Sequence, residues 1–374
     1  MKIQLQKGPV SHYETQTVTT AITVKQLHSS FRVDVYDPKK GRMGEAGGYQ
    51  RKAVEKRVKK LVERLTDPKK AIVVATAILV NVRNPKEKLN FNSKGIAEVD
   101  MPQEIWGKDG FHRASAWMEV YENAEDYGLD QDEVGKQLIN VVMYWGADLV
   151  EEVHTFYDVN HNAKSIPTGN RLEMDAYLTK NSTKHEGDEL LAEVDDLVYK
   201  LADTEQWKDK IQWPNEPANV CPSSGLVRSC YEIFAENVLS GLKPKDKLSL
   251  LTIVWQAIEI VFPEIFSADK KKYALQKAIG VTVVHRLVVK IYTDILIKNN
   301  NTFDQKDRIE INDIDVWVSY FKKMRDFEYL NTQGEPVDGV TFWLSGKEGG
   351  ASQFSSGAGR NTISNLFTDL VVGK

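Results

Sequence analysis

Cysteine is nearly absent from this 374-residue chain: only Cys221 and Cys230 occur. Two thiols cannot build a disulfide framework, and no C-x-x-C pair is present, so ordinary thiols are expected. Long apolar runs are also missing. The longest, Ala71 to Val80, falls far short of the ~20 residues that span a bilayer, which excludes a helical membrane protein. The opening MKIQLQKGPV holds no apolar secretory segment, so a cytoplasmic protein without a membrane partner is expected. There is no internal repeat and no long low-complexity tract. Several catalytic signatures are lacking too: no Walker A loop, no G-x-G-x-x-G, no H-E-x-x-H and no G-x-S-x-G.

What is present is ordinary globular material, 41% hydrophobic and 27% charged. The length is enough for a sizeable core and about two domains at ~150 residues each. Net charge is −4, but it is uneven. Residues 1–75 hold 16 Lys and Arg against 7 Asp and Glu, and the remainder holds 33 against 46. A basic front segment suits an anionic partner such as a nucleotide or DNA, and it equally suits a solvated Lys-rich helix face.

Residues 13–36, rich in Thr, Val and aromatics, read as one or two strands. Lys52 to Leu65 reads as a helix, because Val54, Val58, Leu61, Val62 and Leu65 share one face. The β-branched run 71–82 reads as a buried strand, and 95–109 as two short strands joined at Pro102. His112 to Ala124 and Ala147 to Tyr157 read as helices flanking a strand over 137–145. From about residue 190 helix-periodic segments dominate, over 188–203, 224–241, 246–262, 271–298 and 311–328. The Gly- and Ser-rich tail reads as a surface loop before a short helix around 362–370. The expected class is α+β: residues 1–180 with a small mixed sheet, then a mostly helical region over 181–374.

Glu151 and His154 have the E-x-x-H spacing of half a di-iron ligand set, but the second copy is missing, so a partly exposed helix histidine is the better reading. The most informative segment is Lys108-Asp109-Gly110-Phe111-His112-Arg113, between an expected strand and an expected helix. Glycine there lets a ligand approach the backbone, and the first free N–H groups of the helix favour an anion. His112 and Arg113 add donors to the same place, Arg113 through a fork suited to phosphate oxygens. Asp109 can cap the helix, hold Mg²⁺ or orient a water. A capped helix with an exposed basic first turn is the other reading of these residues.

Asp109-Gly110-Phe111-His112-Arg113 resembles the signature of the DGQHR-domain family. That family includes the DndB proteins of DNA phosphorothioation systems and is related to the ParB/sulfiredoxin-like fold. Gly48-Tyr49-Gln50-Arg51, followed by a helix and a strand, resembles the family's upstream element. Phe156 to Lys164, with Asn160 and Lys164 spaced as F-x-x-x-N-x-x-x-K, resembles its downstream one. Leu275 to Gly280, running into an apolar helix, is similar to the C-terminal region of DndB-like proteins. The good match covers about residues 45–170. Phe111 departs from the pattern, standing where the family has Gln.

The resemblance implies a ParB/sulfiredoxin-like N-terminal domain that binds ATP or another NTP with Mg²⁺. The implied function is NTP binding and hydrolysis, ATPase-like, in a DNA modification or phage-defence system. Carried over, Asp109, His112 and Arg113 are the catalytic residues, with Asp109 the Mg²⁺ ligand. Gln50, Arg51, Gly110, His112, Arg113, Asn160 and Lys164 bind the nucleotide. Two other functions fit the same sequence. One is a DNA-binding transcriptional regulator using the basic residues of 1–75. The other is a non-catalytic scaffold for other proteins of the system.

Overall fold

A computed structural model describes residues 2–44, 46–67, 76–161, 168–269, 272–301, 309–331 and 333–373. The chain divides into two compact units, Met1–Glu186 and Gly187–Lys374. It is an α+β protein.

The first unit is built on a sheet of seven strands among the described residues. The chain runs β1 (Lys2–Val10), β2 (Gln16–Thr23), α1 (Val24–Ser30), β3 (Phe31–Arg32), α2 (Glu55–Leu65), β4 (Ile78–Val82), β5 (Ile96–Asp100) and β6 (Ile105–Asp109). It continues through α3 (Phe111–Glu122), α4 (Gln131–Lys136), β7 (Leu138–Trp145), α5 (Leu149–His161) and α6 (Thr168–Asn181). The strand order is β3-β6-β4-β7-β2-β1-β5. The β3–β6 and β4–β7 pairs are parallel and the others antiparallel, so the sheet is mixed.

Side chains alternate across a strand, and here the two faces differ in chemistry. One face is apolar. Val18, Ile22, Val80, Val82, Ile105, Val141 and Met143 pack with Val24 and Leu27 of α1, Val62 of α2 and Ala114, Ala116 and Val120 of α3. Gly107 belongs to this face because the Phe31 ring lies over it; a Cβ there would stand 2.5 Å from Phe31 Cζ. The other face is polar, buried at Thr17, Asn81 and Lys108 and open at Arg32. Register aligns Arg32, Trp106, Asn81, Tyr144 and Thr17 in one row across β3, β6, β4, β7 and β2. Lys108 lies two residues beyond Trp106 on the same face, and α5 covers it with two buried acids, Glu151 and Glu152.

The strand expected over 13–36 is interrupted. It ends at Thr23, which caps α1 through a capping box: Gln26 N–H donates to Thr23 Oγ1 at 3.1 Å, and Thr23 N–H donates to Gln26 Oε1 at 2.7 Å. Of the run expected as a strand over 71–82, residues 78–82 form β4, while 71–75 lie outside the described residues.

The second unit is mostly helical. It contains α7 (Glu189–Ala202), β8 (Ile211–Gln212), β9 (Cys221–Pro222), α8 (Ser223–Phe234), α9 (Asn237–Ser240), α10 (Pro244–Val261), α11 (Pro263–Ser267), α12 (Ala278–Asn300) and α13 (Ile314–Arg325). After these come β10 (Glu328–Leu330), β11 (Pro336–Asp338), α14 (Gly339–Phe342) and α15 (Gly357–Val372). The last helix starts five residues earlier than its sequence pattern suggests, because Ser356 caps it: Gly359 N–H donates to Ser356 Oγ at 3.0 Å. Within the core of this unit His285 is fully buried. Trp255 Nε1 donates to its Nε2 at 3.2 Å, so Nδ1 carries the proton toward Ser229 Oγ, 2.9 Å away. Burial pushes its pKa down to about 3.

Candidate anion-binding site

β6 ends at Asp109, and Gly110 turns the chain into α3 with a φ of +87°. That left-handed conformation favours glycine. No side chain caps α3. Asp109 therefore does not act as the cap; its Oδ2 lies 3.4 Å from Arg113 Nη2 instead. The Arg113 guanidinium folds back over the turn, so that a Cβ on Gly110 would stand 2.8 Å from Nη2. Arg113 Nη1 donates to the Ala77 carbonyl at 3.2 Å, and to both the carbonyl and the hydroxyl of Thr76. Arg113 thus ties the start of α3 to the segment leading into β4. Its fork is engaged by the protein itself.

His112 Nε2 accepts the Val54 N–H at 3.1 Å, just before α2. With Nε2 an acceptor, the proton sits on Nδ1. The His112 pKa is lowered first by burial and then by Arg51 and Arg57, with Asp109 opposing. Arg51 is lowered likewise, by burial and by Arg57. Arg51 and Arg57 therefore lie close enough to His112, at the entrance to α3, to disfavour its charge, and Arg57 also disfavours that of Arg51. Arg57 is the member that the sequence did not single out. Its position one turn into α2 beside the 109–113 turn carried no local signal.

Two of the expected nucleotide contacts lie elsewhere. Gln50 is buried and points inward, its Nε2 donating to the Gly107 carbonyl and to Tyr49 Oη at 3.1 Å. It is a strut between the 48–51 loop and β6. Neighbours in an extended segment point to opposite sides, so a dipeptide motif cannot place both side chains in one site. Asn160 sits on α5, across the sheet from α3, and its Nδ2 donates to the Phe156 carbonyl one turn back at 2.8 Å. Lys164 lies outside the described residues. Phe111, in place of the family's Gln, packs against the apolar core, its ring centroid 6.5 Å from that of Phe31.

Under α5 lies a charged network that the sequence reading missed. Glu152 is fully buried and accepts from Arg83 Nε at 2.8 Å, Arg83 Nη2 at 2.6 Å, Asn81 Nδ2 at 2.5 Å and Tyr49 Oη at 3.2 Å. Arg83 Nη2 also donates to Asp34 at 2.8 Å. Burial alone would lower the Arg83 pKa, but these two carboxylates outweigh it and raise it. Glu151 accepts from the hydroxyls of Ser11, at 2.6 Å, and Thr15. His154, expected to be partly exposed, is buried, with Nδ1 bonded to Tyr13 Oη. Lys108 lies beneath this network. Its Nζ has no hydrogen-bond partner among the described residues and stands 3.6 Å above the Tyr144 ring. Burial brings its pKa down to about 8, against the pull of Glu151, Glu152 and Asp148. The clue in the sequence was two adjacent acids in an otherwise apolar helix pattern, since buried acids require buried partners.

The first unit is thus an α+β unit in which Arg51, Arg57 and His112 stand beside a helix start that no side chain caps. A family model described as DndB, DNA-sulfur modification-associated, matches residues 10–317, and the chain belongs to that family. The family places it in a DNA phosphorothioation system. The match runs through α12 and into α13, well beyond the 45–170 stretch that carried the resemblance. No curated protein and no solved structure matches the chain. Among the described residues, no helix is long and apolar enough to cross a membrane.

Proposed function

We propose that the protein binds the triphosphate of a nucleotide at the start of α3, and that binding serves DNA modification. The observation that carries this reading is the turn at Gly110 into α3, which no side chain caps, with His112 in its first turn beside Arg51 and Arg57, whose charges add to burial in lowering the His112 pKa. An anion relieves that repulsion. The positive end of α3 and the proton on His112 Nδ1 favour the same ligand. Arg113 holds the turn in shape from behind, through Thr76 and Ala77, rather than meeting the phosphate as a catalytic group.

Hydrolysis is the finer part of the proposal. Asp109 is the carboxylate of the turn, and among the described residues no group of three or more metal-ligating side chains assembles. Mg²⁺ suits such a sparse site, because it keeps several waters and takes most other ligands from phosphate oxygens. Asp109 would hold it, and the ion would neutralise charge on the phosphate oxygens.

The test is nucleotide affinity and phosphate release by the full chain with ATP and Mg²⁺. Replacing Arg51 and Arg57 together with Ala is expected to weaken affinity at least about tenfold, since each charge-assisted bond contributes roughly 1.5–3 kcal/mol. Unchanged affinity refutes the site. Asp109→Asn is expected to abolish phosphate release with affinity kept within a few-fold. Wild-type protein that binds without release refutes the hydrolysis part.

A DNA-binding regulator is the second reading, favoured by α2. Its exposed face carries Lys56, Lys59, Lys60 and Arg64, with Lys52 just before it. Lys56, Lys60 and Arg64 repeat every four residues, about 6 Å apart along the helix, a spacing suited to successive phosphates. Replacing these three with Ala should flatten the salt dependence of DNA affinity by about three phosphate contacts.

A further inference from the structure

The first unit has a second site of different chemistry, at the end of the sheet away from Gly110. A cavity of about 690 Å³ opens where β4, β6 and β7 meet the turns beside them. This lies within the roughly 300–1,000 Å³ range of small-molecule sites. Two tryptophans line it, Trp106 near the start of β6 and Trp145 at the end of β7.

Both indoles are held in place. The Arg83 guanidinium lies over the Trp106 ring, 4.0 Å from its centroid. Arg83 is itself fixed by Glu152 and Asp34, so the ring is stacked against a group that cannot slide. Trp145 Nε1 donates to the Glu87 carbonyl at 2.9 Å, which pins the ring to the 83–87 turn. In that turn Asn84 takes a left-handed φ of +49°.

The charged side chains lining the cavity balance, Arg32, Arg83 and Lys86 against Glu87, Asp100 and Glu104. Arg32 lies 3.6 Å from Glu104, and Arg83 answers Glu152 and Asp34. The lining of the cavity thus carries no net charge, unlike the α3 entrance. It offers rigid aromatic surface, with the exposed amides of Asn84 and Gln103 at its rim. Such amides can donate and accept at once. A flat, uncharged ring with a hydrogen-bonding edge fits this chemistry better than a phosphate does.

We infer that this cavity takes a nucleobase, stacked on the Trp106–Arg83 pair with Trp145 as the flanking wall. The base comes from a free nucleoside or nucleotide, or from an unstacked position in a nucleic acid strand. The inference stands apart from the triphosphate site, because an uncharged nucleoside has nothing for Arg51 and Arg57 to hold.

The experiment is a titration of the full chain with adenosine, guanosine, cytidine and thymidine, read by tryptophan fluorescence and calorimetry. A parallel titration uses a short single-stranded DNA and the same strand with one abasic residue. Saturable nucleoside binding supports a free-ligand source. Binding of the intact strand alone, weakened by the abasic residue, supports a nucleic acid source. In either arm Trp106→Ala is expected to weaken binding about tenfold or more. Trp106→Phe, which keeps a stacking ring, should stay within a few-fold of wild type. Gln103→Ala, at an exposed rim position, is expected to change the preference among bases. The Arg51/Arg57 double variant should bind nucleosides as wild type does. No binding in either arm, or equal binding by wild type and Trp106→Ala, overturns the inference.

Discussion

Arg83 grips Glu152 with two nitrogens, Nε at 2.8 Å and Nη2 at 2.6 Å, where the carboxylate has no exposure to solvent. A buried ion pair contributes little net stability over an apolar pair, yet removing one partner strands the other charge. Glu152→Ala is therefore expected to destabilise the protein by about 3–5 kcal/mol. Urea unfolding followed by circular dichroism measures it. A loss below about 1 kcal/mol would mean that water reaches Arg83 and Glu152 in the folded chain.

Gly110 is expected to resist substitution. Ala at φ +87° carries the left-handed penalty of about 1–2 kcal/mol, and its Cβ meets Arg113 Nη2 at 2.8 Å and Ile78 Cγ1 at 3.3 Å. Gly110→Ala should lower the thermal midpoint and loosen the clip to Thr76. Gly128 is the control. It too is left-handed, at φ +69°, but a Cβ there meets nothing within 4 Å, so Gly128→Ala should show only the backbone part of the loss.

Lys108 makes stability depend on pH in the alkaline range. Its folded pKa of about 8 lies below its ordinary value, so between about pH 8 and 10.5 the unfolded chain binds the extra proton. Stability then rises with pH across that window. Relative to Lys108→Met, wild type should gain on the order of 3 kcal/mol from pH 8 to 10.5. Parallel unfolding curves for the two proteins at each pH would contradict this.

His285 acts in the acid range. Its folded pKa of about 3 is also lowered, so its contribution is present above about pH 6.5 and lost progressively toward pH 3. Compared with His285→Gln, wild type should lose a few kcal/mol over that interval. The loss should appear in probes of the second unit, such as the near-ultraviolet signal of Trp255, whose indole bonds to His285.

The sequence made the periodic elements legible and hid the contacts between distant ones. The apolar face of α2 and the pair of strands joined at Pro102 declare themselves because spacing alone specifies them. The start of α1 was written in Thr23 and Gln26, but the Thr- and Val-rich run around it outweighed two capping residues. At the candidate site, Gly110 and His112 were legible because a strand-to-helix turn is local. Arg57 was not, and neither was Gln50's inward orientation. The Arg83–Glu152 pair joins residues 69 apart and Arg83–Asp34 residues 49 apart, so nothing local announces either.

β6 places consecutive residues in four surroundings: Trp106 at the cavity, Gly107 beneath the Phe31 ring, Lys108 in the polar layer and Asp109 at the turn. Strand alternation couples these placements. Inserting or deleting one residue within 105–109 would exchange inside for outside at every one of them, driving an indole into the hydrocarbon core and opening the lysine's niche. This short strand therefore has a fixed length, and natural variation in it should come as substitution and never as a change of frame.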